Sequence, residues 1–366
     1  MKKSSQISEQ RKIAKQEITA LIEETLPAKI LQLAVLWIQK LMGRTTPLPW
    51  YVGAVVLTIA AMLPQTIVAL VWKQPEQVIG ESLIWSVAVI MVIQVIPISY
   101  LAFKYNLIFI CDHLIDNIEN EKELEDIRIS SVKRLGNRRM ALLYSLLASI
   151  IWSVLAILIF SNFNHRFIGL ARSIDVWIFG FCAPGIVFYF FQILIQLHSR
   201  LGNYHYKVYE LNPAQSEVVN HLATMFTRQF LAIAAYIAVC TLITSFFSQA
   251  LWVTIWIAII VILFWIPMIV EFINGQNALN KIISSAKWQA LNKLQAQIRK
   301  QQESINSDTP ANIESINRLM DLNERVYNTN SIKITARSTL ELVNQLLLPL
   351  VAFLVSNFDK VIKLFK

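Results

Sequence analysis

Asp112 and Asp116 are the first pair of side chains in this chain whose type and spacing could do chemistry. They stand one helical turn apart on a predicted helix just beyond an apolar run, and Glu119 follows them. Acids at positions i and i+4 share one helix face and could hold Mg²⁺ against a diphosphate. The pair therefore predicts a metal site at a membrane surface, with a solvated acidic helix face as the plainer alternative.

A second candidate metal site combines a carboxylate with histidine. Glu217 and His221 are also one helical turn apart, which is the step used in carboxylate–histidine metal sites. His198 and His205 lie in the same predicted segment, and His113 could approach from the neighbouring one. Five histidines are too few for the histidine-rich boxes of membrane di-iron oxygenases such as desaturases. A surface or capping role for each histidine is the alternative interpretation.

The motif Asp112-x-x-x-Asp116 resembles the aspartate motif of UbiA-type membrane prenyltransferases, which also follows a second membrane span. The resemblance implies that Asp112 and Asp116 hold Mg²⁺ against a diphosphate. Those enzymes have more spans and a second aspartate-rich motif, whereas the later segment here reads Glu-Phe-Ile-Asn from residue 271. The chain has only 9 Gly residues and neither a GxxxxGK[ST] nor a GxGxxG phosphate-binding loop. We therefore expect no bound cofactor and favour a protein that is not an enzyme.

Five stretches without any charged residue define the elements that must position these side chains. They are Pro49–Trp72, Ser82–Phe103, Ala141–Asn164, Val176–Leu197 and Gln229–Val270. A helix needs about 20 apolar residues to cross the hydrocarbon core, so each of the first four stretches predicts one span. The last stretch is long enough for two. The predicted fold class is therefore an all-α, polytopic membrane protein with six transmembrane helices, and the apolar stretch 342–358 leaves a seventh crossing open.

The distribution of positive charge predicts how these spans are oriented. With six crossings, all but three of the 33 Lys and Arg residues fall on one side of the membrane. Positively charged segments next to spans stay in the cytoplasm, so the N-terminus is predicted to be cytoplasmic. We expect the protein in the cell inner (plasma) membrane, with anionic lipids against its basic inner face. No nucleic acid is needed to explain that charge.

The chain divides into eight predicted segments. The cytoplasmic ones are amphipathic or interfacial helices at 1–48, a charged helical hairpin at 104–140, a helical segment at 198–228 and a coiled-coil-like hairpin at 271–340. Transmembrane hairpins occupy 49–103, 141–197 and 229–270, and an apolar C-terminal helix at 341–366 is interfacial or a seventh span. In 271–340, apolar residues recur at three- and four-residue steps around a break at Thr309-Pro310. Pairing with another chain and packing of the hairpin on itself both fit this pattern.

No predicted span contains Asp, Glu, Lys, Arg or His. Proton relays and ion-coupled pumps place ionisable groups within the membrane, so the sequence disfavours these classes. Polar residues in spans either line a narrow pore or form hydrogen bonds between helices. The positions concerned are Gln65, Gln94, Gln192, Thr241 and Thr244.

Three functional hypotheses follow from these features. The first is a non-enzymatic membrane scaffold, sensor or effector that acts through cytoplasmic helices such as 274–330, as a homo-oligomer or with a cytoplasmic protein partner. The alternative is an oligomeric channel or solute-permeation protein. The third is a membrane-embedded enzyme that uses Asp112 and Asp116. The large cytoplasmic share of the chain and the lack of a catalytic constellation favour the first hypothesis.

Overall fold

The computed structural model describes residues 2–71, 89–135, 137–161, 176–209, 211–247, 251–304 and 310–329. Within these ranges, every regular element is helical, which confirms the all-α prediction. The α-helices are α1 (Lys2–Ile22), α2 (Leu26–Met42), α3 (Trp50–Val71), α4 (Val95–Phe109), α5 (Glu121–Leu135), α6 (Arg138–Ser161), α7 (Phe188–Leu201), α8 (Glu217–Phe247), α9 (Leu251–Ser304) and α10 (Pro310–Asn328). The apolar stretch 342–358, where the sequence allows a seventh crossing, lies outside the described residues.

Three helical stretches are long and apolar enough to cross a membrane. They are Val89–Asn117, Val176–Leu201 and Glu217–Val239. A shorter apolar stretch covers Trp50–Leu63. All three long stretches extend beyond the charge-free runs and include ionisable residues towards their ends, such as Lys104, His198 and Glu217.

Two of these stretches contain π-helical turns. One turn, Ile110–Leu114, continues α4 and is followed by a 3₁₀ turn at Ile115–Asn117. The other, Phe181–Val187, precedes α7 and contains Pro184. Proline has no backbone N–H and clashes with the preceding turn, so a wider turn accommodates it within a continuous helix.

Small residues bring α6 against the second π-helical turn. A Cβ atom on Gly185 would stand 2.7 Å from the Cα atom of Ser145, and one on Gly180 would stand 2.8 Å from the Cα atom of Ser149. Close contacts of this kind are typical of helix pairs in membranes, where small residues let two backbones approach. The other side of α6 exposes apolar side chains, including Leu147 and Ile151.

Helix α1 packs against α5 on one end of the bundle, and polar contacts fix it there. Ile18 of α1 is fully buried. Arg11 donates a hydrogen bond to the carbonyl oxygen of Ile118 at 2.8 Å, and Lys15 forms an ion pair with Asp116 at 2.7 Å. We call α1, α5 and the turns at 110–120 the platform.

The segment 104–140, which the sequence predicts to be a charged helical hairpin, is built from the end of one helix, a complete second helix and the start of a third. Helix α4 and its π and 3₁₀ turns extend as far as Asn117. Most of the acidic and basic residues that follow lie in one helix, α5, whereas Arg138 and Arg139 begin α6. Two backbone hydrogen bonds then join this region to the chain after α7, from the Glu119 amide to the His205 carbonyl at 3.0 Å and from the Lys207 amide to the Asn117 carbonyl at 2.8 Å.

The last part of α9, from Lys287 onward, and α10 form an antiparallel hairpin, which we call the arm. Leu291 of α9 and Val326 of α10 are buried against each other, together with Ala290. The ammonium group of Lys287 donates to the carbonyl oxygen of Thr329 at 2.9 Å. The second arm helix begins at Pro310, where proline fits because a first-turn N–H has no intrahelical partner.

Candidate functional site

Three polar side chains meet in the core where α7, α8 and α9 converge. His198, Gln229 and Glu271 have exposed fractions of 0%, 5% and 2%. The amide nitrogen of Gln229 donates to Oε1 of Glu271 at 2.8 Å. The Nδ1 atom of His198 lies 3.3 Å from the same oxygen but does not form a hydrogen bond with it. We call these three residues the buried polar cluster.

Each member comes from a different helix. His198 is in the last turn of α7, Gln229 is in the first half of α8, and Glu271 directly follows the apolar half of α9. Glycine allows the helices to approach here, because a Cβ atom on Gly202 would stand 2.7 Å from the Cα atom of Ala278. A Cβ atom on Gly275 would likewise stand 3.1 Å from the ring of Phe226.

Aromatic rings close the space around the buried polar cluster. The rings of His198 and Phe226 have centroids 4.3 Å apart, and those of Phe230 and Phe272 are 4.5 Å apart. The cluster is therefore bounded by apolar surface, in which a charge is much less stable than in water.

Several polar atoms of the buried polar cluster have no hydrogen-bond partner among the described residues. They are both ring nitrogens of His198, Oε1 of Gln229 and Oε2 of Glu271. Burial raises the pKa of the Glu271 carboxyl to about 8. Buried polar groups are nearly always paired, so several unpaired atoms in one place mark a functional candidate.

The first predicted metal pair does not share an α-helical face. Asp112 lies in the π turn and Asp116 in the 3₁₀ turn that follows it, so the assumed i, i+4 geometry of an α-helix is absent. Both side chains are exposed, and Asp116 is paired with Lys15 of α1.

The second predicted pair does come together. Glu217 Oε1 lies 3.2 Å from Nε2 of His221. The ring of His113 stacks on that of His221, with centroids 4.1 Å apart and an interplanar angle of 21°. The Nδ1 atom of His205 instead lies 2.6 Å from Oε1 of Glu123. Across the described ranges, no group of three or more His, Cys, Asp and Glu residues is arranged to hold a metal ion.

Of the predicted pore or packing positions, two are described. Gln94 donates a hydrogen bond to the hydroxyl oxygen of Thr58 at 2.9 Å, which links two helices. Gln192 is exposed on the outside of α7. Gln65 belongs to α3, and Thr241 and Thr244 belong to α8, but the side chains of these three residues are outside the part that the structure describes.

Sequence reasoning missed the buried polar cluster because two of its members stand just beyond a predicted span. His198 follows Val176–Leu197, and Glu271 follows Gln229–Val270. A charge-free run shows how much of a helix could lie in lipid, but the helices remain packed against one another past the ends of these runs. The absence of ionisable residues from the predicted spans therefore does not extend to the core of the bundle. The first ionisable residue after each run was the signal that could have found the site.

No family model, curated protein or solved structure matches this chain. The resemblance of Asp112-x-x-x-Asp116 to the prenyltransferase motif stays a prediction, as do the metal sites at Asp112, Asp116, Glu217 and His221.

Proposed function

We propose that this protein is a multi-pass inner-membrane sensor or effector with six spans and a cytoplasmic N-terminus, which acts through the arm. Three helical stretches that are apolar and long enough to cross a membrane support membrane residence. In the proposed topology, α3, α6 and the apolar half of α9 supply the other three spans. The exposed apolar side of α6 suits contact with lipid.

The observation that carries this proposal is that α9 is one unbroken helix of 54 residues. A helix of that length extends about 80 Å, and it runs from the proposed last span through the buried polar cluster into the arm. A tilt or shift of such a helix at the membrane moves its far end as well. Pro267 stands one turn before Glu271 and weakens the helix at the point where it could bend.

The arm exposes side chains of the kind that partners bind. Trp288, Met320 and Tyr327 have exposed fractions of 59%, 46% and 63%. Aromatic residues and methionine are enriched at protein–protein interfaces relative to the rest of the surface. A second copy of the chain or a cytoplasmic protein is the partner that this surface supports.

The distance between the arm and the platform tests the proposal. Spin labels on Ser8→Cys and Gln297→Cys would report this distance in lipid nanodiscs, in a chain whose native cysteines are replaced. We expect the distance distribution to shift between thin and thick bilayers, because bilayer thickness changes the tilt of the spans. We also expect it to shift between pH 6 and about pH 9, because this pH change alters the ionisation of Glu271 on α9. The matched control places the second label on Asn120→Cys, within the platform, where the distance should stay constant.

An unchanged distance between Ser8 and Gln297 in every bilayer and at every pH would overturn the effector proposal. Ion or solute flux through proteoliposomes of the same protein would then favour the channel hypothesis instead.

A further inference from the structure

We propose that the buried polar cluster is a proton-binding site, in which Glu271 takes up the proton and its occupancy controls how α9 packs on α7 and α8. This inference rests on the proposed function for its consequence in the arm. Proton binding at Glu271 stands on the local geometry alone.

The balance of donors and acceptors in the buried polar cluster favours one added proton. When Glu271 is ionised, its Oε2 and the Oε1 of Gln229 are both acceptors without a donor. A neutral imidazole adds one further acceptor and only one donor. Protonation of Glu271 removes the charge and creates an O–H donor, which Gln229 or His198 can accept after a small side-chain rotation. One proton therefore relieves both the buried charge and the surplus of acceptors.

No fixed cation neutralises Glu271 in the described part of the chain. The guanidinium of Arg200 on α7 turns to Asp126 at 3.2 Å, and Lys281 on α9 donates to Asn203. On α8, His221 faces Glu217, and Arg228 is exposed.

Other neighbouring elements also leave Glu271 without a compensating charge. The 3₁₀ turn Pro213–Gln215, which packs on α8 and α9, carries no charged residue. His198 is thus the basic side chain that approaches Glu271 among the described residues. A mobile proton can neutralise the carboxylate in place.

Close packing links the protonation state to the positions of the helices. The close contacts of Gly202 with Ala278 and of Gly275 with Phe226 lie one helical turn beyond His198 and Glu271, and Glu271 itself is 2% exposed. A carboxylate formed there is stabilised only if water enters or the helices separate. Loss of the proton should therefore move α9, and with it the arm.

Infrared spectroscopy of the full chain in nanodiscs tests proton binding directly. A protonated carboxyl gives a C=O stretching band that an ionised one lacks. Exposed acids lose this band near pH 4, whereas the band of Glu271 should disappear with a midpoint near pH 8. We expect this high-pH transition in the unchanged protein and in the control Glu217→Gln, and we expect Glu271→Gln to lack it. Glu271→Asp keeps a carboxyl and should shift the band, which secures the assignment if Glu271→Gln folds poorly.

Thermal unfolding provides an independent measurement. Burial raises the pKa of folded Glu271 to about 8, above its ordinary value of 4.5, so between these values the folded state binds more protons than the unfolded one. The melting temperature should therefore fall as pH rises through this window and level off above it. In Glu271→Gln this contribution should be absent, since the amide cannot ionise.

The outcomes separate the two proposals. The proton-site proposal is overturned if no carboxyl band titrates above pH 6, or if the same band persists in Glu271→Gln. If the band titrates but the distance from Ser8 to Gln297 never changes, the proton site stands and the effector proposal fails. If that distance responds to bilayer thickness while no band titrates, the effector proposal stands and the proton site is overturned.

Discussion

Exposed and buried charged residues of this protein should contribute differently to its stability. Asp116 is ion-paired with Lys15, but the two side chains keep 54% and 32% of their surface exposed. Glu271 is almost fully buried, and among the described residues the basic side chain that approaches it is the imidazole of His198. Solvent screens the ion pair of Asp116 and Lys15, but it does not reach the carboxyl of Glu271. A replacement of Glu271 should therefore change the stability of the protein far more than a replacement of Asp116.

The replacement Asp116→Asn tests this difference and the prenyltransferase resemblance together. We expect the free energy of unfolding to change by less than about 1 kcal/mol, because exposed ion pairs contribute little. Denaturant titration of the purified protein measures the change. If a Mg²⁺-dependent prenyl transfer activity were found and this replacement abolished it, Asp116 would be a metal ligand and the enzyme hypothesis would stand.

Two isoleucines on α1 give a sharper test of how the platform is held. Ile18 is fully buried, whereas Ile13 keeps 40% of its surface exposed. We expect Ile18→Asp to release α1 from α5 and to destabilise the protein by about 3 kcal/mol or more, since it buries an unpaired charge. Ile13→Asp should change stability by about 0.5 kcal/mol or less. Thermal unfolding and proteolysis of α1 would measure both variants, and equal effects would show that α1 is not docked as described.

At the scale of whole elements, the sequence predicts those features that depend on local composition. Apolar length is a local property, so the charge-free runs predicted apolar helices that the structure contains at Val176–Leu201 and within Glu217–Val239. The break at Thr309-Pro310 also depends on local chemistry, and α10 begins at Pro310. The π turn at Ile110–Leu114 has no such signal, because its residues include neither proline nor glycine to mark it.

Tertiary contacts explain why the buried polar cluster could not be predicted. His198 and Glu271 are distant in sequence, and no helical spacing relates them. Their meeting depends on the close approach of Gly202 to Ala278, which involves two more residues with no individual signal. Periodicity indicates which face of a helix is buried, but it does not indicate which helix will cover that face.

The sequence predicts amphipathic or interfacial helices in the segment 1–48. The two faces of α2, which lies in this segment, differ in the way that an interfacial helix requires. Leu31 and Val35 are buried against the bundle, whereas Leu33, Leu36 and Trp37 have exposed fractions of 65%, 58% and 57%. The helix ends at Gly43, whose φ of 61° suits glycine. An amphipathic helix with one free apolar face fits the headgroup region of a bilayer.

A fluorophore on Leu36→Cys tests whether α2 lies in the bilayer. We expect an environment-sensitive dye there to be blue-shifted, and quenched by brominated lipid, in nanodiscs. The same dye on Gln297→Cys, in the exposed part of the arm, should show neither effect. Equal spectra at the two positions would show that α2 does not lie at the membrane surface.

The orientation of the whole molecule follows from where its positive charges lie relative to the proposed spans. Because all but three of the 33 Lys and Arg residues fall on one side, the platform and the arm are both expected in the cytoplasm. Ser8→Cys and Gln297→Cys should therefore react with a membrane-impermeant maleimide only in inside-out vesicles. Arg172→Cys, in a proposed outer loop, should react only from the opposite side.

Cysteine in place of Lys366 then decides the last crossing. It reacts from the same side as Ser8→Cys if 342–358 stays inside, and from the same side as Arg172→Cys if that stretch crosses. Labelling of Ser8 and Gln297 from opposite sides would leave an odd number of crossings between them, and the six-span topology would have to be abandoned.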